Sequence, residues 1–271
     1  MSATATYALI PPETSVAHLV DCFWVVTDDD ATPGERKIVP DGFPELVFHH
    51  GDPYEIRLAD GAWIRQPRAL AAGQLSRYFF LRNTGRTDIT GVKLRPWALA
   101  QLCARPMAAL TDRVPALDAV CERANVLETA AGGCPDTGAR IAALSRALLE
   151  ICPAGAPPEM VTSAIALIVA TQGRLPVTEI NARLGTHPRS LERAFARWIG
   201  LTPKLYSRVI RLSTIFRAAS GEAGNLSDLS FHAGYYDQPH FHREFKAFTG
   251  EAPSKYPFAQ PNMANLFLNR A

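Results

Sequence analysis

The sequence predicts a two-domain α+β protein, with a β-rich N-terminal domain, a helical connector and an all-α C-terminal domain. Its 271 residues exceed one typical domain. Short β-branched and aromatic runs fill the first hundred residues, and from about residue 106 apolar residues recur at helical spacing. We expect the β-rich domain at residues 1–105, the connector at 106–171, the C-terminal domain at 172–258 and a tail at 259–271.

Four short runs in the N-terminal part are typical of β-strands, and Pro/Gly/Asp clusters separate them. The runs are Cys22-Phe-Trp-Val-Val26, Glu45-Leu-Val-Phe-His49, Tyr78-Phe-Phe-Leu81 and Thr90-Gly-Val-Lys-Leu94. Strands of this length and spacing predict a β-barrel or sandwich. Six aromatic residues there are candidates to line a small-molecule pocket, with plain core packing as the alternative: Trp24, Phe48, Trp63, Tyr78, Phe80 and Trp97.

The connector is predicted to be helical. Leu110, Val114 and Leu117 recur at helical spacing, and Pro157-Pro158 stands at an expected helix start. Residues 136–170 carry further apolar rows. These rows predict a homodimer contact, with closure of the N-terminal core as the alternative.

The first predicted helix-turn-helix unit spans residues 177–195. Its first helix is short and has one apolar face, and Gly185 can supply the positive φ that ends it. Leu191, Phe195 and Trp198 then predict one buried stripe on the second helix. The opposite face carries the candidate DNA contacts Arg189, Glu192, Arg193 and Arg197.

The second predicted unit spans residues 226–246 and repeats this plan, with Gly234 at the turn and Asp237 as the N-cap of its second helix. Phenylalanines 241, 245 and 248 predict the buried stripe. Glutamine and arginine match the donor and acceptor pattern of adenine and guanine in the major groove. The outward positions carry the candidate DNA contacts Gln238, Pro239, His242, Arg243 and Lys246.

A long amphipathic helix, residues 202–220, is predicted between the two units. About 19 residues at 1.5 Å each span about 28 Å, close to the roughly 34 Å between successive major-groove faces of B-DNA. Residues 174–258 contain 12 lysines and arginines against 7 acids, whereas the rest of the chain contains 16 against 19. This basic excess favours a nucleic-acid partner, because phosphate neutralisation supplies much of the affinity. For Arg211, a phosphate contact and a structural ion pair are equally good interpretations.

Several motifs of the C-terminal part resemble the DNA-binding domain of the AraC/XylS family of transcription regulators. They are Leu191-x-Arg193-x-Phe195, Gly200-Leu-Thr-Pro203, Arg211-Leu212, Ala233-Gly-Tyr-Tyr-Asp-Gln-Pro-His-Phe-His-Arg-Glu-Phe-Lys246 and Thr249-Gly-Glu-Ala-Pro253. The resemblance covers about 85 residues and implies sequence-specific binding in two adjacent major grooves of double-stranded DNA. It implies base reading by Arg189, Glu192 and Arg193 in the first unit and by Gln238, Pro239, His242 and Arg243 in the second.

The N-terminal part resembles a group within that family through Ile10-Pro-Pro12, Val20-Asp-Cys-Phe-Trp24 and Val39-Pro-Asp-Gly42. This resemblance implies a cupin-like barrel that senses an unknown small-molecule effector, and RNA polymerase is a candidate partner. Three positions depart from the family pattern. Asn181 in the first unit and Ser230 in the second stand where a small residue normally lets the two helices approach, and His187 replaces the usual serine cap.

Other classes of protein lack support in the sequence. Five cysteines without a pair at metal spacing predict neither a disulfide framework nor a zinc site, and no cofactor is expected. There is no apolar run of membrane-spanning length and no secretory leader pattern, so we expect a cytoplasmic protein away from membranes. Motifs of nucleophilic or phosphate chemistry are missing, which argues against an enzyme. The alternative is a small-molecule-binding or hydrolytic barrel that the C-terminal module tethers to DNA.

Overall fold

A computed structural model describes residues 5–58, 60–134, 136–152, 156–220, 234–235 and 237–258. The first helix of the predicted second unit, with Leu226, Leu229, Ser230 and Ala233, lies outside the described residues.

The described N-terminal residues form two antiparallel sheets. The five-stranded sheet has the order β1-β2-β9-β4-β7, and the four-stranded sheet has the order β3-β8-β5-β6. The strands are β1 (Thr6–Ile10), β2 (Val20–Asp28), β3 (Glu35–Ile38), β4 (Glu45–His49), β5 (Glu55–Arg57), β6 (Trp63–Arg65), β7 (Ala69–Ala72), β8 (Phe79–Arg82) and β9 (Thr87–Leu94).

Both faces of the five-stranded sheet are buried, because successive side chains of a strand point to opposite faces. In β2, Phe23 packs with Leu46 in a core shared with helices, whereas the neighbouring Trp24 packs with Val47 in a core between the two sheets. The space between the sheets is therefore lined by one alternate set of side chains from each strand.

The β-rich N-terminal prediction is confirmed, and each of the four predicted strands coincides with or overlaps an observed one: β2, β4, β8 and β9. The ladders are arranged as two facing sheets. The strands that the pattern did not indicate are β1 and four strands of three or four residues, which offer too few positions for an alternating pattern.

The described helices follow the strands. They are α1 (Leu99–Leu102), α2 (Ala124–Gly132), α3 (Thr137–Ile151), α4 (Glu159–Ala170), α5 (Val177–Leu184), α6 (Pro188–Trp198), α7 (Pro203–Ser220) and α8 (Gln238–Thr249), with 3₁₀ turns at Met107–Ala109, Leu117–Ala119 and Pro253–Lys255. The helical C-terminal prediction is confirmed, and α4 begins directly after Pro157-Pro158 as expected.

The predicted connector is divided between two cores. Leu144 and Leu148 of α3 are fully buried against α2 and the five-stranded sheet, whereas Ile165 and Ile168 of α4 are buried with α5, α6 and α7. The row of α3 therefore closes the N-terminal core, which is the alternative expected for it. The row of α4 is buried in the C-terminal core, which the sequence did not predict.

The helix expected through Leu110, Val114 and Leu117 is absent. The backbone is extended there and pairs with β7, where the amide of Ala71 donates to the carbonyl of Pro115 at 3.1 Å. Val114 precedes that proline, and steric overlap with the proline ring disfavours the helical conformation in the preceding residue. The helix prediction was wrong here because residues 113–116 pair with the strand β7, with 3₁₀ turns on either side of them.

Candidate DNA-binding interface and effector cavity

The first helix-turn-helix unit has the predicted geometry. Gly185 ends α5 with φ of 59°, in the left-handed region that favours glycine. Leu191 and Phe195 of α6 are fully buried, and Trp198 is partly buried in the same core. The apolar stripe of α6 therefore faces the core and leaves its other side to solvent.

Both departures in the first unit are accommodated locally. Asn181 is buried, its Nδ2 donates to the carbonyl of Val177 at 2.9 Å, and its Oδ1 accepts from the Thr186 hydroxyl at 3.1 Å. A buried amide without partners would be costly, so these bonds let an asparagine occupy the helix contact. His187 does act as the N-cap of α6, because its Nδ1 accepts from the amide of Arg189 at 3.3 Å.

The described part of the second unit also follows its prediction. Gly234 has φ of 74°, and the Asp237 carboxylate caps α8 by accepting from the amide of His240 at 2.6 Å. All three phenylalanines of the stripe are buried: Phe241, Phe245 and Phe248.

Every predicted DNA-contact residue lies on an exposed face. These residues are Arg189, Glu192, Arg193 and Arg197 on α6, and Gln238, Pro239, His242, Arg243 and Lys246 on α8. Within the described residues, the four on α6 form no ion pair or side-chain hydrogen bond with the rest of the chain. Their charged groups are therefore free to meet an external partner.

Helix α7 connects the two units and begins where the Thr202 hydroxyl accepts from the amide of Leu205 at 3.1 Å. An open cleft lies between the two units. It runs along α7, on the side of α7 that faces the second unit. The cleft contains one acid, Glu244, against a basic set comprising Arg174, Lys204, Arg208, Arg211 and Arg243.

A buried carboxylate joins the second recognition helix to α7. Glu244 of α8 is 5% exposed; it accepts from Arg208 Nε at 2.7 Å and from the Tyr235 hydroxyl at 2.6 Å. The carboxylate and the burial of Tyr235 together raise the pKa of that hydroxyl, burial being the larger cause. Because hydrogen bonds to charged groups are the strong ones, this cluster fixes the position of α8 on α7.

Arg211 has a structural role. Its guanidinium donates to the carbonyl of Gly173 at 2.8 Å and lies 5.2 Å from the centre of the Tyr235 ring. Arg211 thus contacts a backbone carbonyl and an aromatic ring. Neither is the acidic residue that a structural ion pair would require.

A cavity of about 80 Å³ lies between the two β-sheets. Of the six aromatic candidates, Trp24 alone lines it. Phe48 and Trp97 pack in the core, and Trp63, Tyr78 and Phe80 lie along a groove outside it. Sequence reasoning missed three aromatic residues that do line the cavity: Phe43, Tyr54 and Phe79. Phe43 and Tyr54 lie in the segments just before β4 and β5, outside any strand pattern. Phe79 is in β8, and a strand pattern does not distinguish the inner face of a sheet from the outer one.

One end of the cavity contains an ionic cluster. Lys93, 1% exposed, pairs with the carboxylates of Asp41 and Glu45, the latter at 3.8 Å. Burial alone would lower the pKa of Lys93, but the two carboxylates outweigh it and raise that pKa. Burial also raises the pKa of Glu45, against the opposing effect of the ammonium.

The segment that carries this cluster also contacts the C-terminal domain. A Cβ added to Gly42, which has φ of 90°, would lie 3.1 Å from Ile210 and 3.3 Å from the Tyr206 ring of α7. Val39, which lines the cavity, is part of the C-terminal core. One stretch of backbone thus forms a cavity wall on one side and a contact with α7 on the other.

The described residues show neither a metal-ligand cluster nor a membrane-spanning helix. They contain no group of three or more metal-ligating side chains, and no helix among them is long and apolar enough to cross a bilayer. Burial raises the pKa of the Cys103 and Cys152 thiols to about 12, which makes their thiolates scarce at neutral pH.

Fold and site together define a protein with an N-terminal β domain and a C-terminal helix-turn-helix domain. Residues 180–257 match the family model described as "Helix-turn-helix domain", and residues 8–116 match "Domain of unknown function (DUF6597)". The chain carries an AraC-type helix-turn-helix domain behind a DUF6597 domain, which confirms the resemblance to the AraC/XylS family. None of the curated protein sequences compared with the chain matches it.

Solved structures of the transcription regulator ToxT from Vibrio cholerae are similar in fold. A ToxT structure at 1.65 Å resolution is 9% identical, with 93% of this chain and 97% of that chain covered at a TM-score of 0.50. ToxT from strain O395 bound to (E)-4-(8-methylnaphthalen-1-yl)but-3-enoic acid is 10% identical, with 97% and 99% covered at a TM-score of 0.49. At such identity the likeness concerns the fold alone.

Proposed function

We propose that this chain is a sequence-specific transcription regulator that binds duplex DNA through α6 and α8 and responds to a small molecule held between the β-sheets. The observation that supports DNA binding is the AraC-type domain, in which the predicted contact residues on both recognition helices are exposed. A helix of about 18 residues between the units spans about 27 Å, which suits two successive major grooves.

The proposed base-reading residues are Arg189, Glu192 and Arg193 on α6 and Gln238, Pro239, His242 and Arg243 on α8. Arg197 and Lys246 lie one or more turns further along the same faces and are proposed as additional DNA contacts. The basic cleft beside α7 supports this arrangement, because the DNA backbone between the two grooves needs positive charge opposite it. We propose that the DNA-binding domain begins at α4, because α4 shares its core.

Residues 39–43 form a wall of the cavity and also contact the C-terminal core, and this double contact supports control of DNA binding by an effector. An occupant of the cavity that moves this segment acts directly on Tyr206 and Ile210 of α7, the helix that sets the relative position of the two recognition helices. RNA polymerase and a second copy of the chain are further proposed partners, and a homodimer would need a surface other than the buried rows of α3 and α4.

DNA binding is tested by selecting fragments from random DNA with the full chain. We expect one enriched motif with two blocks of specified bases about one helical turn apart. Affinity for that motif should fall on the order of a hundredfold between 50 and 200 mM salt. Failure to enrich any sequence, or an affinity insensitive to salt, would contradict the proposal.

Coupling between the cavity and the recognition helices is tested with substitutions at two glycines that have nearly the same φ. Gly42→Ala places a methyl group against Ile210 and Tyr206, whereas Gly61→Ala, at φ of 88°, places one in open space. Both substitutions place a Cβ on a residue with nearly the same positive φ. We expect Gly42→Ala alone to change DNA affinity by about threefold or more; equal effects of the two variants would argue against this route.

A further inference from the structure

The cavity between the β-sheets has a size and a composition that restrict its ligand. A volume of about 80 Å³ leaves room for on the order of five to eight water-sized groups. Most of its lining is aliphatic or aromatic, and it includes Leu70, Leu81 and Ile89. A ligand that fits is therefore small and has a mainly apolar body.

The charge at one end of the cavity is unbalanced. Asp41 and Glu45 line the cavity, and the single ammonium of Lys93 serves both carboxylates. Burial raises the pKa of Glu45 to about 7, so the cluster has an excess of one negative charge above that pH and is balanced below it. None of the described lining residues is a lysine or an arginine, and the one ammonium nearby, that of Lys93, is already paired with both carboxylates. An anionic ligand would therefore meet the two carboxylates without a further cation to receive it.

A second polar group of the lining is an unpaired acceptor. His49 is 5% exposed, and its Nε2 lies 3.2 Å from the Gln66 carbonyl oxygen Oε1. That pairing assigns the proton to Nε2 and leaves Nδ1 as an acceptor, and Nδ1 has no partner among the described residues. Burial lowers the pKa of His49 to about 4, so the ring is neutral at physiological pH.

Aromatic rings complete the environment. Trp24, Phe43, Tyr54 and Phe79 line the cavity, and the Lys93 ammonium already lies 5.3 Å from the centre of the Phe43 ring. The faces of aromatic rings attract cations, most strongly where water is excluded. Carboxylates, an unpaired imidazole acceptor and aromatic faces share a preference for a partner that is positively charged and donates hydrogen bonds.

We propose that the cavity binds a small organic cation, an amine with an aromatic or alicyclic body, whose ammonium group is held by Asp41 and Glu45. This inference rests on the proposed function in one respect only: it takes the ligand of this cavity to be the effector of the regulator. The bound ammonium supplies the positive charge that the cluster lacks, and it does so on the segment that contacts α7. Binding is therefore expected to hold residues 39–43 in one position against Tyr206.

Three probes of one shape and different charge test the ligand class with the unmodified full chain. Benzylamine is a cation at pH 7.5, benzyl alcohol is neutral and benzoate is an anion. Titration calorimetry should give binding of benzylamine about tenfold tighter than benzyl alcohol, and weaker binding still for benzoate. Benzoate binding as tightly as benzylamine, or no binding of any probe, would overturn the proposal.

Variants locate the charge contact. Asp41→Asn and Glu45→Gln should each weaken benzylamine about tenfold and leave benzyl alcohol within about threefold, whereas Asp118→Asn, an exposed carboxylate outside the cavity, should change neither. Ala72→Phe, which fills the cavity, should weaken all three probes. Unchanged benzylamine binding in both folded acid variants would also overturn the proposal.

DNA affinity measured on the same samples separates the two proposals. If benzyl alcohol or benzoate shifts DNA affinity and benzylamine does not, the cavity is an effector site of another class, and only the present inference fails. If the chain binds no DNA sequence specifically, the proposed function fails, whatever the probes do.

Discussion

The two helix-turn-helix units repeat one plan but hold their recognition helices by different means. Helix α6 is held by apolar packing of Leu191 and Phe195. Helix α8 has an apolar stripe too, and in addition the buried Glu244 joins it to Arg208 and Tyr235. Apolar packing is non-directional, whereas a charged hydrogen-bond cluster specifies an orientation. The second unit is therefore the more strictly positioned of the two.

The units also differ in how they meet the β domain. The first is joined to it by the turn after α6, where the Thr111 hydroxyl donates to the carbonyl of Gly200 at 2.6 Å. The second is joined by an ion pair between Lys37 of β3 and Glu251, beside the rings of Tyr78 and Tyr256. Both recognition helices are thus connected to the β domain, each through its C-terminal end.

Removal of the buried carboxylate should have the largest effect. Glu244→Ala leaves Tyr235 and Arg208 without their acceptor, and about 2 to 3 kcal/mol of unfolding free energy should be lost. We place the loss in this range because the Arg208 side chain is 34% exposed and regains water. Denaturant unfolding measures it, with the exposed Glu192→Ala as control within about 0.5 kcal/mol. A loss below about 1 kcal/mol would mean that apolar packing alone positions α8.

Base reading by the two units can be compared with one arginine from each. Arg243→Ala should cost about 2 kcal/mol of binding on the selected site and relax preference at one base pair. Arg193→Ala should do the same at a base pair of the other half of the site. Binding to singly mutated sites measures both, and a loss that is equal on all sequences would make the affected arginine a phosphate contact.

The N-cap of the second recognition helix offers a smaller test. Asp237→Ala removes the acceptor of the His240 amide and should lower the unfolding free energy by about 1 kcal/mol. Thermal or denaturant unfolding is the measurement, and Asp237→Asn, which keeps an acceptor, should retain most of the stability. Equal losses in the two variants would point to the charge of Asp237 rather than to its cap.

The N-cap of the first unit should respond in the opposite direction. The bond from Arg189 to His187 Nδ1 is long at 3.3 Å, and serine is a better cap than histidine. We expect His187→Ser to raise the unfolding free energy by about 0.5 kcal/mol. A loss of stability in this variant would show that the imidazole has a packing role that the cap geometry does not reveal.

Prediction from sequence succeeded where one helix or strand contains the whole signal. The turn glycine Gly185, the cap Asp237 and the stripe of three phenylalanines are local features, because their spacing alone determines conformation and the buried face. It failed around Val114, where the spacing of apolar residues is compatible with a helix but a proline and a neighbouring strand decide otherwise.

By itself, the sequence determined the class of this protein: a β-rich domain followed by two helix-turn-helix units with outward-facing polar side chains. The tertiary structure alone decided which aromatic residues enclose the cavity, how α3 and α4 divide between two cores, and that the segment around Gly42 contacts α7. The physical reason is distance along the chain. Gly42 and Tyr206 meet through packing of elements far apart in sequence, and no local pattern of residues records which distant surface covers an apolar face.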